Sequence, residues 1–258
     1  MKTVVCLKQV PDKDTRFEIN QEGSWIKEQD LTYEMNESDE YALEESLRIK
    51  EKHGGEVVLL CLGDESTEKI MRRGLAMGAD RGVLILARRE DSIDPLSVAG
   101  ALKTQIQSEQ PDLVLTGVRS DDHAFSQTGT VLAELLGWPH ATIVMKIETD
   151  NEGKSLKIQR ELEAGLLEEV ALPLPAVLTV QQGINQIRYA SLKGIMAAKK
   201  KELRRVEWSS LGMPATRKIQ IDKITFPKSD KKVEIITSAP KEAAALLVEK
   251  MKKEMKVL

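Results

Sequence analysis

The sequence is poor in the residues that mark several protein classes. Of its 258 residues only two are cysteines, Cys6 and Cys61, and no C-x-x-C pair occurs. Each cysteine lies in an apolar run typical of a buried strand, so we expect neither a disulfide framework nor a zinc site. This cysteine usage favours a reducing compartment, and the cytoplasm is the predicted location.

Further features of the composition argue against two classes of protein. Aromatic residues make up 3% of the chain and the net charge is −3, which argues against a nucleic-acid-binding protein. No apolar run approaches about 18 residues, so we expect no direct membrane insertion. The first residues lead directly into a predicted strand, without the apolar core of a signal peptide or an Arg- and Ser-rich transit segment.

The common catalytic and phosphate-binding motifs are also missing. The sequence has no G-x-G-x-x-G, no G-x-x-x-x-G-K-[ST], no G-x-S-x-G and no H-E-x-x-H. Of the three histidines, His53 and His140 stand without cysteine or histidine neighbours at ligand spacing. A hydrolase, a metalloenzyme and an ATP-using ligase are therefore disfavoured, and we expect no catalytic residue and no metal.

The first half of the chain alternates between two hydrophobic patterns. Apolar runs predict buried parallel strands, and 3.6-residue periodicity between them predicts helices. The strands are predicted at residues 3–7, 56–62, 82–86 and 112–115, and the helices at 36–52, 67–77, 94–106 and 125–136. Asn36 is the predicted N-cap of its helix, with Asp39 near a capping box. The alternation predicts an open parallel sheet with helices on both faces.

The second half changes character. A turn sequence at residues 150–153 separates two strands, 141–149 and 155–162, and predicts a β-hairpin. One further strand is predicted over residues 172–180. Residues 181–205 are irregular and then helical.

The C-terminal part is predicted to be an extended arm, residues 206–239, followed by an amphipathic helix, residues 241–255. We therefore divide the chain into an α/β nucleotide-binding domain, residues 1–205, and a C-terminal arm with its helix, residues 206–258. Such an arm wraps either its own domain or a partner subunit, and the sequence leaves both open.

The most informative segment is residues 116–130, which follow a buried strand and lead into a predicted helix. Ligands of open parallel sheets bind outside the carboxyl ends of the strands. Free backbone N–H groups at the helix start, near Ser126–Thr130, attract an anion such as phosphate, and Asp121 or Asp122 can accept from a ribose hydroxyl or an adenine amine. The same residue types are also explained by helix capping and close packing.

Two other strand ends border the same predicted sheet edge, Cys6-Leu7-Lys8 and Leu62-Gly63-Asp64, and Asn36 is placed to close the pocket. Each is also explained as a plain strand end or cap. Leu192, in a polar segment before a basic helix, is either an isolated exposed leucine or a contact for an apolar pocket of a partner.

Several ordered motifs together resemble the electron transfer flavoprotein beta subunit family over nearly the whole chain. They are residues 4–11, 35–37, 42–45, 76–82, 127–129, 136–139, 172–177 and 188–201. The resemblance implies an adenine nucleotide alpha hydrolase-like fold with a β-hairpin and a C-terminal arm. It also implies an electron carrier rather than an enzyme.

The resemblance further implies cofactors and partners. Family members form a heterodimer with an alpha subunit that holds the redox-active FAD, and the beta subunit encloses part of the flavin and binds AMP. Electrons come from flavoprotein dehydrogenases, such as acyl-CoA dehydrogenases of fatty acid oxidation, and pass to a quinone-linked or other acceptor. The implied AMP contacts are Cys6, Asn36, Leu62, Arg119, Asp122, Ser126, Gln127, Thr128, Gly129 and Thr130. Leu192 matches the leucine that docks on partner dehydrogenases.

The loop sequence bears on which nucleotide is bound. Electron-bifurcating members hold a second FAD, accept electrons from NADH, and tend to carry a Gln-Val-Gly-Pro run. Here the sequence Asp122–Thr130 resembles the AMP branch, and Phe125 adds bulk where a larger ligand needs room. Lys13 and Ser38 stand where some relatives have aromatic residues near the flavin. A stand-alone nucleotide-binding regulatory protein is a further alternative, which the long arm disfavours.

Overall fold

The computed structural model describes residues 1–29, 31–88, 94–150, 153–212, 218–227 and 233–255. Its strands are β1 (Lys2–Leu7), β2 (Gln9–Pro11), β3 (Tyr33–Met35), β4 (Glu56–Gly63), β5 (Arg81–Leu86), β6 (Leu113–Gly117), β7 (His140–Thr149), β8 (Ser155–Glu161), β9 (Leu167–Pro173), β10 (Ala176–Val180) and β11 (Leu203–Glu207). Its helices are α1 (Glu37–His53), α2 (Glu68–Met77), α3 (Pro95–Glu109), α4 (Thr128–Leu136), α5 (Leu192–Ala198) and α6 (Pro240–Lys250).

Within these residues, nine strands form one sheet in the order β11-β5-β4-β1-β6-β10-β7-β8-β9. The strands from β11 to β7 are parallel, while β7, β8 and β9 pair antiparallel. A separate antiparallel pair joins β2 to β3. The fold is the predicted open α/β type, with a mostly parallel sheet and the predicted hairpin at one end.

Helices cover both faces of the sheet, as its apolar strands require. On one face Leu43 of α1 and Met71 of α2 pack into a core with Leu59 of β4. On the other face Ile106 of α3 and Leu132 of α4 pack into a second core. All five side chains are fully buried, which explains why the central strands carry apolar residues on both sides.

The chain changes direction across the sheet at β1. From β1 it proceeds through β4 and β5 to one side, and β6 then lies on the other side of β1. Such a reversal leaves a crevice outside the carboxyl ends of the two strands, because the connecting helices lie on opposite faces. The expected ligand position is therefore the gap between the ends of β1 and β6.

Three predicted elements differ from the structure. The single strand predicted at 172–180 is two strands, β9 and β10, because the chain turns at Leu174-Pro175 from the antiparallel part of the sheet to the parallel part. The helical prediction within 181–205 missed β11, which pairs with β5 at the edge of the sheet and runs two residues past the predicted boundary at 205. The helix predicted from residue 125 begins at Thr128. The division at residue 205 stays a prediction.

Candidate functional site

A cleft opens at the carboxyl ends of β1, β4 and β6, at the point where the strand order reverses. Apolar side chains of β4 and α3, among them Leu62 and Val98, form one wall, and the loop after β6 and the start of α4 form the other. The complete lining is Cys6, Leu7, Lys8, Asn36, Asp39, Leu62, Pro95, Val98, Leu102, Thr116, Gly117, Val118, Arg119, Ser120, His123, Phe125, Ser126, Gln127, Thr128 and Gly129. An apolar wall facing polar groups suits a small molecule with both a ring and a charged end.

The carboxylate of Asp39 lies between the ends of β1 and β6. One oxygen accepts the backbone N–H of Lys8 at 2.8 Å, and the other accepts the N–H of Gly117 at 2.8 Å. A side chain at position 117 would collide with it, since a Cβ there would lie 2.3 Å from the Asp39 oxygen. Burial raises the pKa of Asp39 to about 7, although hydrogen bonds from Asn36, Lys8 and Gly117 act in the opposite direction.

The loop after β6 is held by the residues that precede and begin α1. The amide of Asn36 donates to the carbonyl oxygen of Arg119 at 3.0 Å and accepts the N–H of Asp121 at 3.0 Å. The hydroxyl of Ser38 also donates to the Arg119 carbonyl, at 2.7 Å. Asn36 is the residue before the helix but makes no side-chain cap bond, and the predicted capping box with Asp39 was wrong. Asn36 instead binds backbone groups of the loop after β6, and Asp39 binds the N–H groups of Lys8, just after β1, and of Gly117, the last residue of β6.

The start of α4 closes the other side of the cleft. Thr128 and Gly129 are its first two residues, so their N–H groups lack helical acceptors. Both residues line the cleft. A Cβ at Gly129 would lie 2.4 Å from the Thr179 methyl carbon and 2.8 Å from the Thr116 hydroxyl. Gly129 therefore permits the close packing of this helix start on β6 and β10.

The helix α4 begins later than predicted: Gln127 is its N-cap, and Ser126, which was predicted in the first turn, is not helical. Ser126 has a φ of 54° and Ala124 a φ of 54°, both left-handed. Two such residues within three positions bend the chain sharply. The bend places Phe125 and Ser126 on the cleft lining rather than along the helix axis.

Lys8 forms the charged side of the cleft mouth. Its ammonium group lies 2.6 Å from Asp122 Oδ1, 3.3 Å from the Ser120 hydroxyl and 3.3 Å from Nδ1 of His123. Burial tends to raise the pKa of Asp122, but Lys8 and His123 outweigh this effect and hold the pKa below its ordinary value. The imidazole of His123 also packs 5.8 Å from the ring of Phe125.

A second cleft adjoins the first and shares Lys8, Leu62 and His123 with it. Its other side is aromatic, with Phe17, Trp25 and Tyr33, and the rings of Trp25 and His123 meet edge to face at 6.2 Å. Ile221 and Ile224 of the C-terminal arm complete it. No sequence motif indicates this cleft, because its walls come from four separate parts of the chain.

The structure brings together most of the predicted site residues. Those that line the first cleft are Cys6, Asn36, Leu62, Arg119, Ser126, Gln127, Thr128 and Gly129. Asp122 lines the second cleft instead and pairs with Lys8, and the Thr130 hydroxyl donates to the Gln127 carbonyl within the helix start. Their role as nucleotide contacts stays a prediction.

Several lining residues were missed as site residues. Asp39 was assigned to the helix start, and His123 was placed in the loop of residues 116–130 with no role of its own. Ser38, which holds this loop without lining the cleft, was placed on the helix at a position where some relatives have an aromatic residue near the flavin. Their partners lie at residues 8, 117 and 119. Such separations leave no signal in a single sequence.

The described residues offer neither a metal site nor a membrane span. No cluster of three or more His, Cys, Asp or Glu side chains suited to a metal ion is found there. Within the same part of the chain, no helix combines the length and the apolar character needed to cross a membrane.

Comparison with known proteins decides the family. Residues 24–211 match the electron transfer flavoprotein domain. The chain is 39% identical to the electron transfer flavoprotein subunit beta of Bradyrhizobium diazoefficiens over 261 residues, which cover 100% of both chains. The subunit beta of Methylophilus methylotrophus is 39% identical over 83% of this chain and 82% of its own length. The mouse subunit beta is 34% identical over 88% of this chain and 89% of its own length.

The chain belongs to the electron transfer flavoprotein beta subunit family. Its role is therefore in electron transfer. The family name also places this chain beside an alpha subunit.

In this electron transfer flavoprotein subunit, Leu192 is the first residue of α5 and is 84% exposed. Tyr189, just before it, is 97% exposed. The segment is nevertheless firmly attached: the Arg188 guanidinium binds the buried carboxylate of Glu44 on α1, with distances of 2.7 and 3.0 Å. A Cβ at Gly194 would lie 2.3 Å from the Ala76 carbonyl oxygen, so α5 packs closely on α2.

Proposed function

We propose that this chain is the beta subunit of a heterodimeric electron carrier, that it binds AMP in the first cleft, and that it encloses part of an FAD held mainly by the alpha subunit. The observation that carries the proposal is the position of this cleft at the reversal of strand order, lined by eight of the ten predicted AMP contacts. FAD supplies the redox chemistry, and the protein holds and orients it. The cytoplasmic location stays a prediction.

In this arrangement the AMP phosphate binds at the start of α4, where the N–H groups of Thr128 and Gly129 and the helix dipole favour an anion. The adenine ring lies against the apolar wall formed by Leu62 and Val98. AMP is then a structural ligand, because it fills a cleft between helices of both sheet faces and stabilises the folded state by binding it.

The deciding experiment is to purify the heterodimer, denature it, and identify and count the released nucleotides by chromatography and mass spectrometry. One AMP and one FAD per heterodimer are expected. ATP, or no nucleotide other than FAD, would refute the AMP assignment.

A second candidate is the electron-bifurcating form with NADH as donor. The aromatic second cleft favours it, because this cleft is continuous with the first through Lys8, Leu62 and His123 and offers flat side chains to a larger ligand. Two FADs and no AMP in the same denaturation experiment would establish this form and overturn the AMP proposal.

We further propose that Leu192 docks on a flavoprotein dehydrogenase, from which electrons pass to a quinone-linked or other acceptor. Its exposure beside exposed Tyr189 and Met196 supports this, since a rigidly held apolar patch is suited to binding a protein. Leu192→Ala should reduce electron transfer from an acyl-CoA dehydrogenase about tenfold, with bound AMP unchanged. The exposed leucine of the distant β8–β9 turn provides the control, Leu166→Ala, which should leave transfer unchanged. Loss of AMP with normal transfer would contradict the assignment.

The C-terminal part, residues 206–258, is proposed to pack on the alpha subunit. Large apolar side chains of this part are exposed in the isolated chain, namely Phe226, Val233, Ile235, Leu246, Leu247 and Val248. A contiguous partner surface would remove them from water. Truncation after residue 212 should abolish co-purification of the alpha subunit while leaving the sheet folded by circular dichroism. Unchanged co-purification would refute the assignment.

A further inference from the structure

The strands β1 and β6 pair only along part of their length. Their register joins Thr3 to Leu113, Val4 to Val114 and Val5 to Leu115, and ends there. Lys8 and Gly117 lie beyond this paired part, where their N–H groups need another acceptor. The Asp39 carboxylate provides both acceptors, one oxygen for each strand end.

In this geometry the Asp39 side chain lies between the ends of two neighbouring strands, at the floor of the cleft. Asp39 is 5% exposed, so its carboxylate is buried in the gap rather than hydrated. Asn36 and Ser38, which both precede Asp39 in the turn that begins α1, hold the loop after β6 by its Arg119 carbonyl. Residues 36–39, where α1 begins, therefore hold both edges of the cleft in place.

We propose that Asp39 is a positioning residue for the nucleotide: its carboxylate, through the N–H groups of Lys8 and Gly117, sets the separation of the β1 and β6 ends and thereby the shape of the cleft. This inference rests on the proposed AMP function. Asparagine at position 39 has nearly the same shape but only one oxygen. It therefore leaves one of the two N–H groups facing an NH₂ group.

The test compares Asp39→Asn with the matched control Glu40→Gln in the heterodimer. Glu40 is the next residue of the same helix and is also buried, but its carboxylate pairs with Arg73 on α2, away from the cleft. Asp39→Asn should weaken AMP binding about tenfold in calorimetric titration of the nucleotide-free protein, the factor expected for one lost charge-assisted hydrogen bond. Glu40→Gln should change AMP affinity less than about twofold.

Amide hydrogen exchange provides the second readout. Peptides that contain Lys8 or Gly117 should exchange faster in Asp39→Asn, and those in Glu40→Gln should not. Faster exchange with unchanged AMP affinity would overturn the positioning role, and so would weaker AMP binding with unchanged exchange. Wild-type protein that binds no AMP would refute the proposed function instead, while the exchange comparison still decides whether Asp39 holds the strand ends.

If Asp39→Asn does not fold, the wild-type heterodimer gives the decisive measurement. The amide protons of Lys8 and Gly117, followed by NMR from about pH 5 to 9, should shift together with one midpoint as Asp39 titrates. The titratable groups that face this carboxylate are the Cys6 thiol of β1, the Lys8 ammonium just after β1, and the Cys61 thiol of β4. Independent shifts, or none, would overturn the proposal.

Discussion

Asp39→Asn should remove a distinct pH dependence from the stability of the fold. Burial raises the pKa of Asp39 to about 7, against an ordinary value of 3.8. Between these values the folded protein binds a proton that the unfolded chain does not, so stability falls as pH rises from about 4 to 7. Three pKa units correspond to about 4 kcal/mol.

The assay is urea unfolding of both proteins, without nucleotide, at a series of pH values from about 4 to 8. The difference between the two unfolding free energies isolates Asp39, because Glu40 and Glu45, whose pKa values burial also raises, are present in both. Arg81 lowers the pKa of Glu109 to about 2, so that group changes stability only below about pH 4.5. A difference curve that is flat between about pH 4 and 7 would show that the hydrogen bonds from Lys8 and Gly117 outweigh burial.

Two substitutions test the packing that supports the site. Gly129→Ala should lower the free energy of unfolding by about 1–3 kcal/mol, because the alanine methyl group would collide with Thr179 of β10. The neighbouring control, Thr130→Ala, should cost less than about 1 kcal/mol. Equal losses of the two variants in thermal unfolding would contradict this prediction. Arg188→Ala should cost about 3 kcal/mol, because it leaves Glu44 buried without its main partner. Arg205→Ala removes an arginine that lies in solvent, so its effect on stability should be much smaller. Similar losses in urea unfolding would refute the distinction.

Much of the parallel sheet was predictable because its strands are buried on both faces. The near-continuous apolar run of β4 has few alternatives, and Asp94-Pro95 begins α3 as predicted, with the Asp94 carboxylate accepting the N–H of Leu96. By contrast, β11 lies at the sheet edge and carries two arginines that pair with acidic residues of the helices. Its sequence therefore lacks the apolar signature of a buried strand.

The site was predictable in outline and not in detail. The fold rule that places ligands at strand ends located the loop after β6 correctly, and the polar residues there line the cleft. The left-handed conformation of Ser126 could not be predicted, since serine rarely adopts it and no glycine marks the bend. The role of Asp39 depends on partners 31 and 78 residues away along the chain.

The reversal of strand order at β1 has a consequence for how the molecule unfolds. The two hydrophobic cores lie on opposite faces of the sheet, one beneath α1 and α2 and the other beneath α3 and α4. Across the cleft, Asn36, which precedes α1, faces Thr128 of α4, so a ligand that contacts both joins elements of the two cores. Unfolding of either core would then release the ligand and lose its whole binding energy. The protein with ligand bound should therefore unfold as one cooperative unit.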